Sequence, residues 1–111
     1  MMIPGNDYQI DAQFKSPMGW VKAQVALTLL SDSSFSGHAK LVGATVELKE
    51  CEKNGSHFHF TAAPKLPFGV FQVEVDADIS EDGILTGIAN VPRHKPMEIK
   101  GQIISSTASV Q

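Results

Sequence analysis

A single cysteine, a single tryptophan and a single tyrosine occur in this chain of 111 residues. With Cys51 alone, no internal disulfide staples the fold. That usage fits a reducing compartment, so a cytoplasmic location is expected. Long apolar runs are missing: none approaches the ~20 residues of a bilayer-crossing helix, and no membrane partner is expected. The opening stretch "MMIPGNDYQ" has neither a basic n-region nor an apolar h-region, so no secretory signal is expected. No excess of positive charge exists either. Nine Lys and Arg stand against 12 Asp and Glu, for a formal charge of −3, and the basic residues are scattered. This argues against a nucleic-acid or anionic-membrane surface. Also absent are a phosphate loop, a Gly-x-Ser-x-Gly elbow and zinc-type cysteine pairs. What remains is a 12.0 kDa chain, 42% apolar and 19% charged, which reads as one domain over 1–111. That length suffices for a single core.

The chain repeats itself. Residues 17–43 lie over 67–93 without a gap: Pro17 on Pro67, Gly19 on Gly69, Val25 on Val75, Asp32 on Asp82, Gly37 on Gly87 and Ala39 on Ala89. "VELK" (46–49) returns as "MEIK" (97–100), offset by 51 because one loop is a residue longer, and Tyr8–Ala12 lies over Phe58–Ala62. The pattern predicts an internal duplication with halves of about 7–50 and 57–104.

Within each half the apolar period is two. Val21, Ala23, Val25, Leu27 and Leu29 alternate with Lys22, Gln24 and Thr28, and Phe71, Val73, Val75, Ala77 and Ile79 alternate with Gln72, Glu74, Asp76 and Asp78. The same test gives Tyr8–Phe14, Phe35–Leu41, Val46–Leu48, Phe58–Ala62, Leu85–Val91 and Met97–Ile103. Period two is the mark of a strand with one face buried. Eight strands result, and no helix. The links ("SPMG", "SDSS", "VG", "KNG", "LPFG", "EDG", "PRHKP") are short and carry turn chemistry. Short links make neighbours antiparallel, and closure removes the two exposed edges. The expected fold is an all-β, eight-stranded antiparallel up-and-down barrel built from a two-fold repeat. A two-sheet sandwich with the same strands is the alternative.

The pattern Pro-Met-Gly, strand, Asp/Gly turn, Leu-x-Gly-x-Ala resembles small bacterial β-barrel domains, most of them uncharacterised, that repeat a Thr/Ser-Pro-Met-Gly element. In outline it also resembles the calycin group, with its avidin-like and lipocalin-like barrels. The calycins' Gly-x-Trp element has only a partial counterpart here, Gly19-Trp20, which lacks the spacer residue. The resemblance implies a closed meander that often binds an apolar small molecule, and it carries over no catalytic residue.

In a meander barrel the links "SPMGW", "LVGA", "KLPFGV" and "VPRHKPM" share one end. That end gathers Met18, Trp20, Val42, Leu66, Phe68, Val70, Pro92 and Met97, whereas the other end is polar. Contiguous exposed apolar groups tend to mark interaction sites; the alternative is that they fold over and plug the barrel. The inward list holds no Asp, Glu, His, Lys or Arg, and its one polar group is the Tyr8 hydroxyl. General acid–base chemistry needs a titratable group in reach of substrate, so an enzyme in the interior is disfavoured. Gly37, Ala39, Gly87 and Ala89 face inward, either making room for larger side chains or leaving an apolar cavity.

"SHFHF" places His57 and His59 on one strand face at a spacing that can chelate a metal, with Glu47 or Glu74 as helpers. A solvated pair is the simpler reading, so no metal ligand, cofactor or catalytic residue is assigned. Asp76, Asp78, Glu81 and Asp82 lack calcium-loop spacing and read as a solvated face. Cys51 stands between Glu50 and Glu52, which disfavour a thiolate. Three functions follow in order. The first is a module binding an apolar small molecule through Met18, Trp20, Leu66, Phe68, Val70 and Met97, with Tyr8. The second is a homo-oligomer, a dimer first, or a partner interface with a solid barrel. The third is a cyclase- or isomerase-like enzyme drawing on Tyr8, Arg93, His94 and Lys95.

Overall fold

The computed structural model describes residues 4–16, 19–41, 43–66, 69–70 and 72–108. Every regular element among them is a strand: β1 (Asn6–Ser16), β2 (Gly19–Leu29), β3 (Phe35–Leu41), β4 (Ala44–Glu47), β5 (Lys49–Asn54), β6 (His57–Ala62), β7 (Lys65–Leu66), β8 (Gly69–Val70), β9 (Val73–Ile79), β10 (Ile84–Asn90) and β11 (Met97–Ala108). Nine of them form one antiparallel sheet in the order β4-β3-β2-β1-β11-β10-β9-β6-β5, nearly closed into a barrel, while β7 and β8 pair separately. The first and last long strands, β1 and β11, pair along Asn6–Phe14, so the edges of the sheet are β4 and β5 rather than the chain's first and last strands.

The expected count of eight is corrected to nine, and the reason lies in one strand. The stretch 44–54 is continuous in the chain but changes partner at Leu48. Residues 44–47 pair with β3 and residues 49–54 with β6, so the two sheet edges are consecutive pieces of the same segment. Leu48 N–H donates to the Gly37 carbonyl (3.0 Å) and Lys53 N–H to the Ser33 carbonyl (2.9 Å), tying both pieces to the β3 side. A bulge sits between Lys49 and Glu52, with Glu50 at φ 52°. Strict alternation after Val46 and Leu48 would turn Glu50 and Glu52 inward. The extra residue resets the phase, so Cys51 and Lys53 take the half-buried positions and both glutamates stay exposed. The strand expected to end at Leu48 therefore continues as β5, and Lys53 and Asn54 of the expected "KNG" link belong to it.

The two long hairpins have matching registers. In β1–β2, Ala12 faces Ala23 and Ser16 faces Gly19; in β6–β9, Ala62 faces Val73, and Leu66 faces Gly69 across β7–β8. The described pairing ends at Ser16–Gly19 in one hairpin and at Leu66–Gly69 in the other; residues 17–18 and 67–68 lie outside the described residues. Val25 faces Ala39 as Val75 faces Ala89, and Ala39 faces Val46 as Ala89 faces Met97. At the opposite end the turns match too: Leu30 N–H donates to Ser34 O (3.0 Å) and Ser80 N–H to Ile84 O (2.9 Å).

The core is the inward set that period two selects: Tyr8, Ile10, Leu27, Leu29, Phe35, Phe58, Val75, Ala77, Ile79 and Leu85 are all buried. Phe35 from the first half meets Phe58 edge-on (5.2 Å between centroids) and Phe60 (6.2 Å) from the second, so large rings occupy the middle. Leu48, at the break, is buried among them. Among the described residues no charged side chain is buried.

Candidate functional site

Strand polarity places the ends of β1, β6 and β10 and the starts of β2, β9 and β11 at one end of the barrel, where the apolar rim was expected. Met18 and Phe68 lie outside the described residues. Trp20 is on the outer face of β2, opposite Lys15, with the Lys100 ammonium 4.4 Å and the Lys15 ammonium 5.7 Å from its ring. Two cations thus stand over its π-face. Val70 is 62% exposed and faces Lys65 across the short β7–β8 pair, where Leu66 faces Gly69. Met97 opens β11 opposite Ala89 and packs half-buried against the core. Tyr8 is apart from all of these. It is buried opposite Leu27, seven residues along β1 from Trp20's partner Lys15 and so about 24 Å toward the other end.

At the rim end, where β6 leaves the sheet and β9 enters it, an open groove of about 680 Å³ is lined by Lys49, Glu50, Thr61, Ala62, Ala63, Gln72, Val73, Glu74, Asn90, Val91 and Pro92. The partner switch at Leu48 brings Lys49 and Glu50 to this groove, because β5 crosses to β6 there, with Lys49 opposite Thr61. Sequence reading placed none of these at a site except Pro92 and, as a possible metal helper, Glu74.

A second constellation lies on the outer face of β5, β6 and β9. Antiparallel register sets His57 opposite Asp78, His59 opposite Asp76 and Thr61 opposite Glu74, and β5 brings Glu52 opposite His59. Directly opposed residues have Cβ atoms about 4.5–5.5 Å apart, so the side chains meet. His59 Nδ1 is 2.8 Å from Asp76 Oδ1, and His57 Nε2 is 3.0 Å from the same oxygen. His57 Nδ1 is 3.2 Å from Asp78 Oδ1. With a carboxylate at each ring nitrogen, only the imidazolium of His57 donates to both. Hydrogen bonds to Asp76 and then Asp78 raise the His57 pKa, and the bond to Asp76 raises that of His59. The same bonds, from His59 first and His57 second, lower the Asp76 pKa. His59, Glu74 and Asp76 each offer a ligand atom, all within 4.8 Å of one another.

Of the helpers considered for the histidines, Glu74 is in place, and Glu47 is not, since it pairs with His38 on β3. The acidic stretch read as a solvated face divides: Asp76 and Asp78 belong to the histidine ladder. The signal was present in "LPFG". Counting back along both strands from the pairing of Leu66 with Gly69 sets 59 opposite 76 and 57 opposite 78. Cys51 is half-buried; burial first and the Glu47 charge second push its thiol pKa up, which keeps it a poor nucleophile.

No protein-family model, no curated protein and no solved structure matches this chain. Among the described residues no helix is long and apolar enough to cross a membrane.

Proposed function

We propose that this protein is a binding module that takes an apolar small molecule in the groove at the hairpin end of the barrel. The observation that carries this reading is the groove itself. Its volume of about 680 Å³ is within the range of roughly 300–1,000 Å³ common to small-molecule sites. Ala62, Ala63, Val73, Val91 and Pro92 supply an apolar wall, while Lys49, Glu50, Thr61, Gln72, Glu74 and Asn90 supply polar groups for orientation. The phenylalanine rings in the core favour this end over the interior as the place of binding. Ala63→Trp tests the reading, because Ala63 is exposed and a larger side chain there fills the groove without entering the core. The variant is expected to melt like the parent and to take up an environment-sensitive apolar dye at least tenfold more weakly. Equal dye uptake overturns the reading.

A second reading, self-association through the same end, is supported by exposed Val70 and Trp20. Sedimentation velocity on the parent and on Trp20→Ser/Val70→Ser distinguishes it: a dimer that becomes a monomer supports the interface, and a parent that is monomeric removes it.

We also propose that the chain arose by tandem duplication of a four-strand unit. Support comes from two separate sources, the gapless overlay of 17–43 on 67–93 and the matching hydrogen-bond registers of the two hairpins. The seam bonds agree: Lys53 N–H to Ser33 O in one place and Ile103 N–H to Gly83 O in the other are related by the same offset of 50.

A further inference from the structure

We propose that the outer face of β6 and β9 is a binding site for a divalent transition-metal ion, held by His59, Asp76 and Glu74, with His57 positioning Asp76. The argument begins with register. His59 and Asp76 are directly opposed across β6–β9, and Glu74 is two residues before Asp76 on the same face. Their ligand atoms lie within 4.8 Å of one another before any ion is considered. An ion that takes nitrogen and oxygen ligands at ~2.0–2.2 Å in tetrahedral geometry sets those ligands ~3.3–3.6 Å apart. The His59 Nδ1 to Asp76 Oδ1 distance of 2.8 Å is close to that edge, so small side-chain rotations open the triad around an ion. Three protein ligands leave at least one position for water, the arrangement of an accessible rather than a sealed metal site.

The surroundings favour a cation. Glu52 on β5 faces His59 and adds a third carboxylate near that ring. No lysine or arginine is paired in register with His57, His59, Asp76 or Asp78: His57 faces Asn54 and His59 faces Glu52 on β5, and Asp76 and Asp78 face Ile88 and Thr86 on β10, while Lys49 faces Thr61 on the rung of Glu74. His57 Nε2 at 3.0 Å from Asp76 Oδ1, with Nδ1 on Asp78, fixes the orientation of the shared carboxylate. Such partners of a metal-binding carboxylate tune affinity. An imidazole among the donors selects for zinc, copper, nickel or cobalt over calcium and magnesium, which prefer oxygen alone. Rigid strands rather than loops hold all four side chains, so little order is lost on binding. The proposal does not depend on the groove reading, although Glu74 borders both.

The test is isothermal titration calorimetry of Zn²⁺ into the tag-free full chain after treatment with a chelator. One ion per chain is expected. His59→Gln, Asp76→Asn and Glu74→Gln should each weaken binding at least tenfold, His57→Gln should weaken it less, and His38→Gln on β3 should leave it unchanged. Because all these side chains are on the outer face, the variants are expected to fold, and their melting curves check this. The groove-filling Ala63→Trp variant should bind Zn²⁺ as the parent does, which separates failure of this site from failure of the groove. Absence of saturable Zn²⁺ binding by the parent overturns the proposal. So does binding that all three ligand variants retain within twofold, because the ion then sits elsewhere.

Discussion

Gly87 backs directly onto the carbonyl oxygen of Asp76: a Cβ built on the glycine would stand 2.4 Å from that oxygen and 2.7 Å from the Ala77 Cβ. Fifty residues earlier, a Cβ on Gly37 would stand 2.2 Å from the Ala26 carbonyl oxygen. These glycines were read as making room for larger side chains or leaving an apolar cavity; a Cβ on Gly37 would also stand 3.0 Å from Leu27 Cδ2, but the nearest contact at both places is the neighbouring strand's backbone. Backbone cannot swing aside as a side chain does, so a methyl group at either place must displace a strand of the barrel. Overpacking of this kind costs about 1–3 kcal/mol. Gly37→Ala and Gly87→Ala are both expected to lower the urea midpoint, and by similar amounts. A variant as stable as the parent would show that the strands separate at no cost.

Glu50 gives the second prediction. It adopts φ 52° at the bulge where the strand changes partner, and this left-handed region is costly for any side chain and worst for a β-branched one. Glu50→Gly removes the cost and forfeits only an exposed 3.3 Å bond from Thr61, so it should be neutral or stabilising. Glu50→Val is expected to destabilise by about 1–3 kcal/mol. Thermal melts rank the three proteins. If valine is tolerated as well as glycine, the bulge is not where the chain turns from β3 to β6.

The strands were legible wherever one face alternates without interruption, as from Val21 to Leu29 or Val73 to Ile79, because a half-buried strand leaves no other pattern. The segment after Leu48 was not legible. Its phase resets at Glu50, and a residue-by-residue alternation test sees two glutamates where the barrel needs an inward face. The His59–Asp76 pairing is a different case. It follows from the pairing of Leu66 with Gly69 by counting, but it joins residues 17 positions apart. Reading "SHFHF" and "VDADIS" as separate local stretches hides it. The groove was legible least, since Lys49 and Glu50 reach it only through the partner switch.

The third prediction concerns faces. Val75 is buried, opposite Phe60 on β6 and Ala89 on β10, whereas Gln24 is on the solvent side of β2. An aspartate at Val75 would be an unpaired carboxylate in a core whose described members include no charge. Its burial costs several kcal/mol, a large part of the ~5–15 kcal/mol that holds a domain together. Val75→Asp is therefore expected to be unfolded at 25 °C by circular dichroism, and Gln24→Asp to be folded. Similar melting of both would mean that the inward and outward faces are assigned wrongly.

The last prediction follows protons through the ladder in chelator-treated protein. His57 faces Asp76 and Asp78, and His59 faces Asp76 and Glu74 on β9 and Glu52 on β5, so both histidine pKa values stand above the ordinary 6.5. Asp76, accepting from both rings, stands below its ordinary 3.8. A raised histidine pKa contributes stability that is complete below 6.5 and disappears as pH climbs through the folded value. A lowered carboxylate pKa contributes stability that is present above 3.8 and lost as pH falls through the folded value. The ladder thus supports the fold fully between 3.8 and 6.5 and weakens on either side. All three side chains are substantially solvated, so the effect on global stability is small and the titrations themselves are the sharper readout. Proton NMR of the ring resonances should give midpoints above 6.5 for His57 and His59. Asp76→Asn should lower both, and His59 should fall further, because His57 keeps Asp78 as a partner. Midpoints that the substitution leaves in place would mean that the rings do not share the Asp76 carboxylate in solution.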